Sequence, residues 1–251
     1  MTISASNQFV GKRAHSAQTS LSSRGHGRGG FRAAAGRPPK AESDRLGHHP
    51  RPELAARFPV HVTMRRVADG PALRRGDCYA VLRRCFAAGK SRFGFRLVHY
   101  SVQGNHIHLI CEADDRRALS RGMQGLTIRV ARRLNRRLGR RGKLFAQRYH
   151  ARILRSPREV RHALVYVLNN RRHHAESELS PSWIDPCSSG PWFTGWKWSI
   201  RVYWAKPHGD PPVVPPATWL LEHGWRLKYG PLRFGETPAP ASRSMWYKSS
   251  D

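Results

Sequence analysis

The apolar and polar positions of the chain follow regular periods only between Phe58 and about residue 174. Alternating and β-branched runs predict strands, and apolar residues three or four apart predict helices. In chain order we predict a strand at 60–67, a helix at 72–88, strands at 93–102 and 106–113, a helix at 115–141, a strand at 144–154 and a helix at 157–174. This order predicts an α+β fold of the ferredoxin-like type, with an antiparallel sheet and helices packed on one of its faces.

Local features support these elements. In the strand at 93–102, alternation places Phe95, Leu97 and His99 on one face. Turn-forming residues at 103–105 connect this strand to the next in a β-hairpin. The last helix begins with Ser156-Pro157-Arg158-Glu159, a capping box with proline at the first helical position. The helix at 115–141 has one apolar stripe, formed by Leu119, Met123, Leu126, Val130, Leu134 and Leu138.

The two ends of the chain differ in composition from this central part. Residues 1–55 are rich in Ser, Gly, Arg, Ala and His without periodicity, which predicts a disordered basic tail. Residues 179–251 hold all eight tryptophans, among prolines and glycines. This composition predicts an irregular packed extension that ends in a short helix. We expect its tryptophans to pack in a core rather than to stack on bases. We therefore expect one folded domain at 56–178 with two appendages.

The charge of the chain indicates an anionic partner. It has 45 Lys and Arg against 16 Asp and Glu, a net charge of +29, and such an excess is typical of nucleic-acid-binding proteins. There is no run of 18 apolar residues and no segment like a signal peptide, so we expect no membrane association and a cytoplasmic, nucleoid-associated location. The four cysteines form no CxxC pair, which favours reduced thiols over a zinc ribbon.

Two histidines mark the strand at 106–113. His106 and His108 are two residues apart and project from one face, whereas Cys111 points to the opposite face. Two adjacent imidazoles can begin a divalent-metal site, which needs further ligands from elsewhere. The motif is short and the chain has 14 histidines, so the pair by itself is more typical of half-buried histidines that make ordinary hydrogen bonds.

The helix at 157–174 displays a tyrosine away from its apolar stripe. Tyr166 shares a helical face with Asn170, one turn later. A phenol and an amide oxygen one turn apart could supply a nucleophile and a third metal ligand together. The alternative is a tyrosine half-buried at the edge of the stripe and an asparagine near a helix end.

Together these motifs resemble the HUH single-tyrosine transposases, the IS200-like transposases, and in particular the REP-associated tyrosine transposases of bacteria. GNHIHLI at 104–110 is similar to the family's motif of two histidines around a hydrophobic residue. LFAQRYHARIL at 144–154 resembles the segment before the catalytic helix, and YVLNN at 166–170 resembles the tyrosine motif. The resemblance covers about residues 58–175.

The resemblance implies a site and a reaction. It assigns Tyr166 as the catalytic nucleophile and His106 and His108 as catalytic metal ligands, with Asn170 as the third ligand. The tyrosine oxygen would displace a 3′ oxygen of single-stranded or hairpin DNA and leave a 5′-phosphotyrosine link. The divalent ion would be Mg²⁺ or Mn²⁺, although these ligands also tolerate Zn²⁺. Active relatives are often dimers, which implies a homodimer.

An arginine-rich helix fits a DNA substrate. No acidic residue occurs between Asp115 and Glu159, whereas solvated helix faces normally mix both signs of charge. We therefore expect DNA binding that weakens as salt rises. The predicted DNA contacts are Arg129, Arg132, Arg133, Arg136, Arg137, Arg140 and Arg141, together with Arg148 in the following segment.

Other functions are compatible with the sequence. A domesticated relative that binds a DNA hairpin without cleaving it would carry the same motifs. His61-Val62-Thr63 matches one H-x-T motif of the two-histidine RNA phosphoesterases, but the second position, at 106–108, lacks a hydroxyl. A zinc deaminase would also need a P-C-x-x-C segment, which the sequence lacks.

Overall fold

The computed structural model describes residues 53–173, 179, 180, 182–197 and 209–237. The strands in this part of the chain are β1 (Val60–Arg65), β2 (Ser91–Arg92), β3 (Phe95–Val102), β4 (His106–Ala113) and β5 (His150–Ile153). The α-helices are α1 (Gly76–Gly89), α2 (Arg116–Arg137), α3 (Pro157–Leu168), α4 (Asn170–His173) and α5 (Trp225–Tyr229). A 3₁₀ turn at Gly190–Trp192 and a π-helical turn at Leu220–Gly224 complete the described elements.

The strands form one antiparallel sheet in the order β2-β3-β4-β1-β5. The central strand, β4, pairs with β3 on one side and with β1 on the other. The predicted α+β fold class, with an antiparallel sheet, is therefore confirmed. The predicted strand at 144–154 is shorter in the structure, because only His150–Ile153 pairs with β1 as a strand.

Different helices cover the two faces of the sheet. Val62 and Leu109 pack with α1 and α2 in one core. Val98 and Ile110 pack on the opposite face with α3 and with the C-terminal extension, residues 179–251 as far as they are described. The prediction that the helices share one face is corrected in this detail. On this face the apolar stripe of α3 packs against Ile110 of the sheet and against the extension, so α3 is buried there.

A β-bulge in β3 changes which of its side chains reach each core. The register shifts between Leu97 and His99, so both Leu97 and Tyr100 reach the core beneath α1 and α2. His99 turns to the α3 face, where its Nδ1 lies 3.3 Å from Ser189 Oγ. Strict alternation predicted His99 on the face of Leu97, and this is wrong because the bulge adds one residue to the strand.

The last predicted helix is divided at Asn169. α3 ends at Leu168 and α4 begins at Asn170. The Asn169 side-chain amide donates to the carbonyl oxygens of Arg233 and Glu236, at 3.2 and 2.7 Å. These bonds join the point of division to the C-terminal extension.

The predicted capping box begins α3. Ser156 Oγ accepts from the backbone N–H of Glu159 at 3.3 Å. The Glu159 carboxylate reaches back to accept from the backbone N–H of Arg155 at 2.6 Å. It also accepts from Arg152 of β5 at 2.9 Å, so the start of α3 is joined to the edge strand of the sheet.

Buried polar contacts hold the C-terminal extension to the domain. The Arg74 guanidinium donates to both carboxylate oxygens of the buried Asp185, at 2.7 and 2.8 Å. The buried Glu112 carboxylate accepts from the backbone N–H groups of Ala217 and Thr218, at distances of 2.8 to 3.0 Å. Removing one partner of such a bond leaves a buried charge without compensation. The described extension is therefore part of the same packed body as the sheet.

Two tryptophans of the extension pack in the core, as predicted. Trp196 and Trp225 are each 2 % exposed in the cluster formed with α3. The Phe193 ring lies between them, with its centroid 5.1 Å from that of Trp196 and 5.9 Å from that of Trp225. Trp219, by contrast, is 58 % exposed.

Most of the predicted basic tail at 1–55 lies outside the described residues, which begin at Glu53. At this start Leu54 packs against the core of α1 and α2. In the part of the chain that the structure describes, no helix is long and apolar enough to cross a membrane.

Gly122 of α2 lies close against the sheet. A Cβ added there would come within 2.1 Å of Phe95 Cγ, whereas a Cβ at Gly125 of the same helix meets nothing within 4 Å. We expect Gly122→Ala to lower the free energy of unfolding by about 1–3 kcal/mol through overpacking. Gly125→Ala, the matched control, should raise it by about 0.5–1 kcal/mol through helix propensity. Urea unfolding measures both, and equal effects would contradict the close packing of α2 on β3.

Burial of His99 makes stability depend on pH. Desolvation lowers the pKa of its imidazole from 6.5 to about 3. The unfolded chain takes up this proton near pH 6.5, so the stabilisation is complete above that pH and is lost as pH falls toward 3, by about 1.4 kcal/mol per pH unit. We expect His99→Gln to reduce the dependence of unfolding free energy on pH, between about pH 6 and pH 4, by one proton. Urea unfolding at several pH values measures this slope, and an unchanged slope would show that folding does not hold His99 neutral.

Candidate active site

Two neighbouring strands place a row of polar side chains on the α3 face of the sheet. His106 and His108 of β4 project there, and Arg65 and Thr63 of β1 lie directly opposite them in the antiparallel register. Side chains that are opposite in such a pair lie about 4.5–5.5 Å apart at Cβ. Arg65 is exposed and His106 partly exposed, whereas His108 is 3 % exposed. The row therefore runs from the solvent into the interior.

α3 places the Tyr166 ring against the rings of His108 and His61. The centroid of its ring lies 4.9 Å from that of His108, nearly edge-on, and 5.8 Å from that of His61. The rings of His106 and His108 lie 4.6 Å apart. The structure thus brings together the three residues that the sequence predicts as catalytic.

The hydrogen bonds of both histidines involve Nδ1. His106 Nδ1 lies 2.6 Å from the side-chain oxygen of Asn105. Since an amide oxygen can only accept, this ring nitrogen carries the proton. His108 Nδ1 lies 3.1 Å from Thr63 Oγ1 and 3.3 Å from His61 Nε2. In the His106 ring, Nε2 is then the nitrogen by which a metal ion would be bound.

Burial sets the charge of the groups around the pair. Desolvation, together with the nearby charges of His150 and Arg152, lowers the pKa of His61 from 6.5 to about 3, so His61 is neutral. Desolvation also raises the pKa of Tyr166 above its usual value near 10, while the amide of Asn170 beside it acts in the opposite direction. At neutral pH Tyr166 is therefore a phenol, which must lose its proton when it acts as a nucleophile.

Asn170 is the candidate third ligand. Its side chain is 1 % exposed and lies beside the Tyr166 hydroxyl, whose pKa it lowers through a hydrogen bond. Apart from this contact, neither its amide oxygen nor its amide nitrogen has a hydrogen-bond partner of normal geometry among the described residues. A buried amide without such bonds is costly unless another group binds it. The described residues contain no group of three His, Cys, Asp or Glu side chains that could hold a metal ion. Two imidazoles and one amide oxygen would be the donors, and this donor set suits a divalent ion that completes its coordination with water or phosphate oxygens.

Cys111 lies outside this site. It is buried in the core of α1 and α2, on the opposite face of the sheet from the histidine pair, as its position in the strand predicts. Burial raises the pKa of its thiol, so the sulfur stays protonated. It supplies neither a ligand nor a nucleophile to the candidate active site.

Most of the predicted DNA-binding arginines belong to α2, which lies on the other side of the sheet. α2 packs by its apolar stripe on the face opposite the histidine pair. Arg129 and Arg140 are partly buried, and Arg140 lies 3.8 Å from Asp69. The structure therefore does not bring these arginines to the candidate nucleophile. The exposed members of the set are Arg132, Arg133, Arg136, Arg137 and Arg141, with Arg148 between α2 and β5.

Part of this site was not predicted from the sequence. The sequence places His61 and Thr63 only in a motif of RNA phosphoesterases, and it does not single out Arg65. Their signal is the alternation of polar and apolar residues in VHVTMR at 60–65. The pairing of β1 with β4 is needed to show that these side chains meet the histidine pair.

The chain is similar to known proteins over part of its length. A solved structure described as "Structure of the REP associates tyrosine transposase bound to a REP hairpin" is similar at 16% sequence identity and a TM-score of 0.47, over 57% of this chain and 82% of that chain. Comparison with curated proteins finds no match. Residues 58–172, which contain His106, His108, Tyr166 and Asn170, match the family model described as Transposase IS200 like. The part of the chain that carries the candidate site is thus similar to the IS200-like transposases.

Proposed function

We propose that this protein is a metal-dependent tyrosine transposase that cleaves and rejoins single-stranded, hairpin-forming DNA. The observation that carries the proposal is the contact of Tyr166 with His108, one of the histidine pair, at 4.9 Å between the ring centroids. A phenol held against one imidazole of the pair, with a buried amide beside it, provides a nucleophile close to metal donors. The similarity of residues 58–172 to a transposase family supports this chemistry.

Tyr166 performs the covalent step. Its phenol oxygen loses a proton and forms a bond to the scissile phosphorus. The bond from phosphorus to the 3′ oxygen breaks, and that oxygen takes up a proton and leaves as a hydroxyl. The strand end that carries the 5′ phosphate is then linked to Tyr166. Attack by a 3′ hydroxyl on this link reverses the step and joins two strands without another energy source.

His106, His108 and Asn170 are the proposed ligands of a divalent ion, Mg²⁺ or Mn²⁺. The ion supplies Lewis-acid polarisation of a phosphate oxygen when it is bound. Asn105 orients the His106 ring through its 2.6 Å hydrogen bond. The partial burial of Tyr166 between α3 and the sheet limits the access of water to the phenol.

Cationic side chains on both faces of the sheet are the proposed DNA contacts. Arg65 is exposed and lies opposite His106 in the register, so we propose that it contacts a phosphate next to the scissile one. The exposed arginines of α2 would contact phosphates farther along the substrate. Guanidinium groups suit this role because they bind phosphate oxygens in a bidentate manner.

A DNA-hairpin-binding protein that does not cleave is the second candidate, and the same surfaces support it. The RNA phosphoesterase alternative is disfavoured by the position of His61. That residue is 5 % exposed and its Nε2 lies 3.3 Å from His108 Nδ1, whereas such an enzyme needs both motif histidines at the substrate.

Formation of a covalent adduct tests the proposed reaction. Purified protein with hairpin-forming single-stranded DNA and Mn²⁺ should give a protein–DNA adduct on denaturing gels. Tyr166→Phe should abolish the adduct, because the attacking oxygen is removed. His106→Ala should slow its formation by about 100-fold or more, the scale expected for losing one electrostatic group at a reaction centre.

Tyr149→Phe is the matched control for this experiment. Tyr149 is a partly buried tyrosine of the same domain that packs against the core of α1 and α2, so its variant should form the adduct normally. An adduct that persists in Tyr166→Phe and disappears in Tyr149→Phe would contradict the choice of nucleophile. Hairpin binding without an adduct under every divalent ion would favour the non-cleaving candidate.

The salt dependence of DNA binding tests the role of α2. Each phosphate contact contributes about 0.7 for single strands and about 0.9 for duplex DNA to the slope of log affinity against log salt. We expect Arg132→Gln and Arg136→Gln, at exposed positions of α2, each to reduce the slope by this amount. Arg75→Gln is the control with the same change in charge. Arg75 directly precedes α1 in the chain and is paired with Asp77 at 2.7 and 2.8 Å, so we expect its slope to stay unchanged. Equal slopes for all three variants would exclude α2 as a DNA contact surface.

A further inference from the structure

We propose that Thr63 and His61 of β1 are positioning residues that keep the proton of His108 on Nδ1, so that Nε2 presents its lone pair to the metal ion. This inference rests on the proposed function, in which His108 is a metal ligand. It gives the H-x-T sequence of β1 a role within the transposase site.

The strand register places both side chains on one atom of His108. Thr63 lies directly opposite His108, and His61 lies two residues earlier on the same face of β1. Thr63 Oγ1 is 3.1 Å and His61 Nε2 is 3.3 Å from His108 Nδ1. The His61 ring also stacks on the His108 ring, with centroids 5.3 Å apart and planes at 29°. Two groups from β1 therefore determine the environment of a single nitrogen.

The position of that proton decides whether His108 can bind a metal. A neutral imidazole has one nitrogen that donates and one that accepts. If Nδ1 accepted a hydrogen bond, the proton would be on Nε2 and that nitrogen would have no lone pair for an ion. A proton on Nδ1 instead has two acceptors in reach, the Thr63 hydroxyl oxygen and the Nε2 lone pair of His61. Metal-binding histidines commonly donate their other N–H to such a group, which fixes both tautomer and ring orientation.

His106 reaches the same tautomer through a different partner. Its Nδ1–H donates to the side-chain oxygen of Asn105, at 2.6 Å. That partner is the preceding residue, so the turn before β4 already supplies it. His108 is 3 % exposed and obtains its partners from β1. His106 and His108 therefore both carry their proton on Nδ1 only when β1 and β4 pair in this register.

The tautomer of His108 can be measured without metal or DNA. Long-range ¹H–¹⁵N correlation spectra of the full chain show which nitrogen of each neutral histidine is protonated, and His108→Ala identifies the relevant signals. We expect His108 in the wild type to have its proton on Nδ1. Thr63→Val keeps the shape of the side chain but removes the hydroxyl, and it should shift part of the His108 population to the tautomer with the proton on Nε2.

Metal affinity gives the second measurement. Titration with Mn²⁺ should show binding about 10- to 100-fold weaker in Thr63→Val than in the wild type, the usual effect of losing an outer hydrogen-bond partner of a ligand. Thr63→Ser is the matched control, because it restores the hydroxyl, and it should bind within about threefold of the wild type. His61→Gln keeps a polar group near the position of Nε2 and should weaken binding less than His61→Leu.

Two results would overturn the inference. One is a wild-type His108 with its proton on Nε2, a measurement that needs no variant to fold. The other is equal Mn²⁺ affinity in Thr63→Val and Thr63→Ser. Failure of the proposed function would differ from both, since the proton would be on Nδ1 while Mn²⁺ neither bound nor supported an adduct with DNA.

Discussion

The antiparallel pairing of β1 with β4 is the interaction on which the candidate site depends. Its register sets Thr63 opposite His108 and Arg65 opposite His106. Side chains alternate along a strand, so a slip of one residue would turn the whole polar row of β1 to the other face. Such a slip would also expose Val62, which is fully buried in the core of α1 and α2. The hydrophobic core on one face of the sheet thereby holds the polar groups on the other face in place.

A second constraint brings the nucleophile to this row. The apolar stripe of α3 is buried against Ile110 of the sheet and against the C-terminal extension, and this burial leaves Tyr166 beside the histidines. The extension also bonds Asn169 through the carbonyl oxygens of Arg233 and Glu236. The helix is divided at that residue, and Asn170 follows it with a buried side chain. The site therefore combines two strands, one helix and an extension that are far apart along the chain.

The candidate reaction centre and the exposed arginines of α2 lie on opposite faces of the sheet. The candidate nucleophile and ligands lie on the α3 face, where partial burial removes water and strengthens local electrostatic interactions. The exposed arginines of α2 lie on the opposite face, in contact with solvent. In the proposed function this division suits two tasks, because a reaction centre needs a few fixed groups, whereas affinity for DNA comes from many solvated charges acting on phosphates. A substrate that uses both surfaces must extend beyond one face of the domain.

Much of the fold could be predicted from the sequence because it depends on local periods. The order of strands and helices, the stripe of α2, the capping box of α3 and the opposite orientation of Cys111 all follow from spacing along the chain. The proximity of His106, His108 and Tyr166 was predicted as well, but through the resemblance of three short motifs to a family. Periodicity alone does not state which helix covers which face of a sheet.

The remaining features were decided by tertiary structure. The bulge before His99, the division of the helix at Asn169 and the placement of α3 on the histidine face each depend on contacts between residues far apart in sequence. The same is true of the contacts of His61 and Thr63 with one nitrogen of His108. The sequence by itself thus determined the elements, the charge and the reactive side chains. Only strand register and burial determined which of those side chains share hydrogen bonds, because these two properties arise when distant segments pack together.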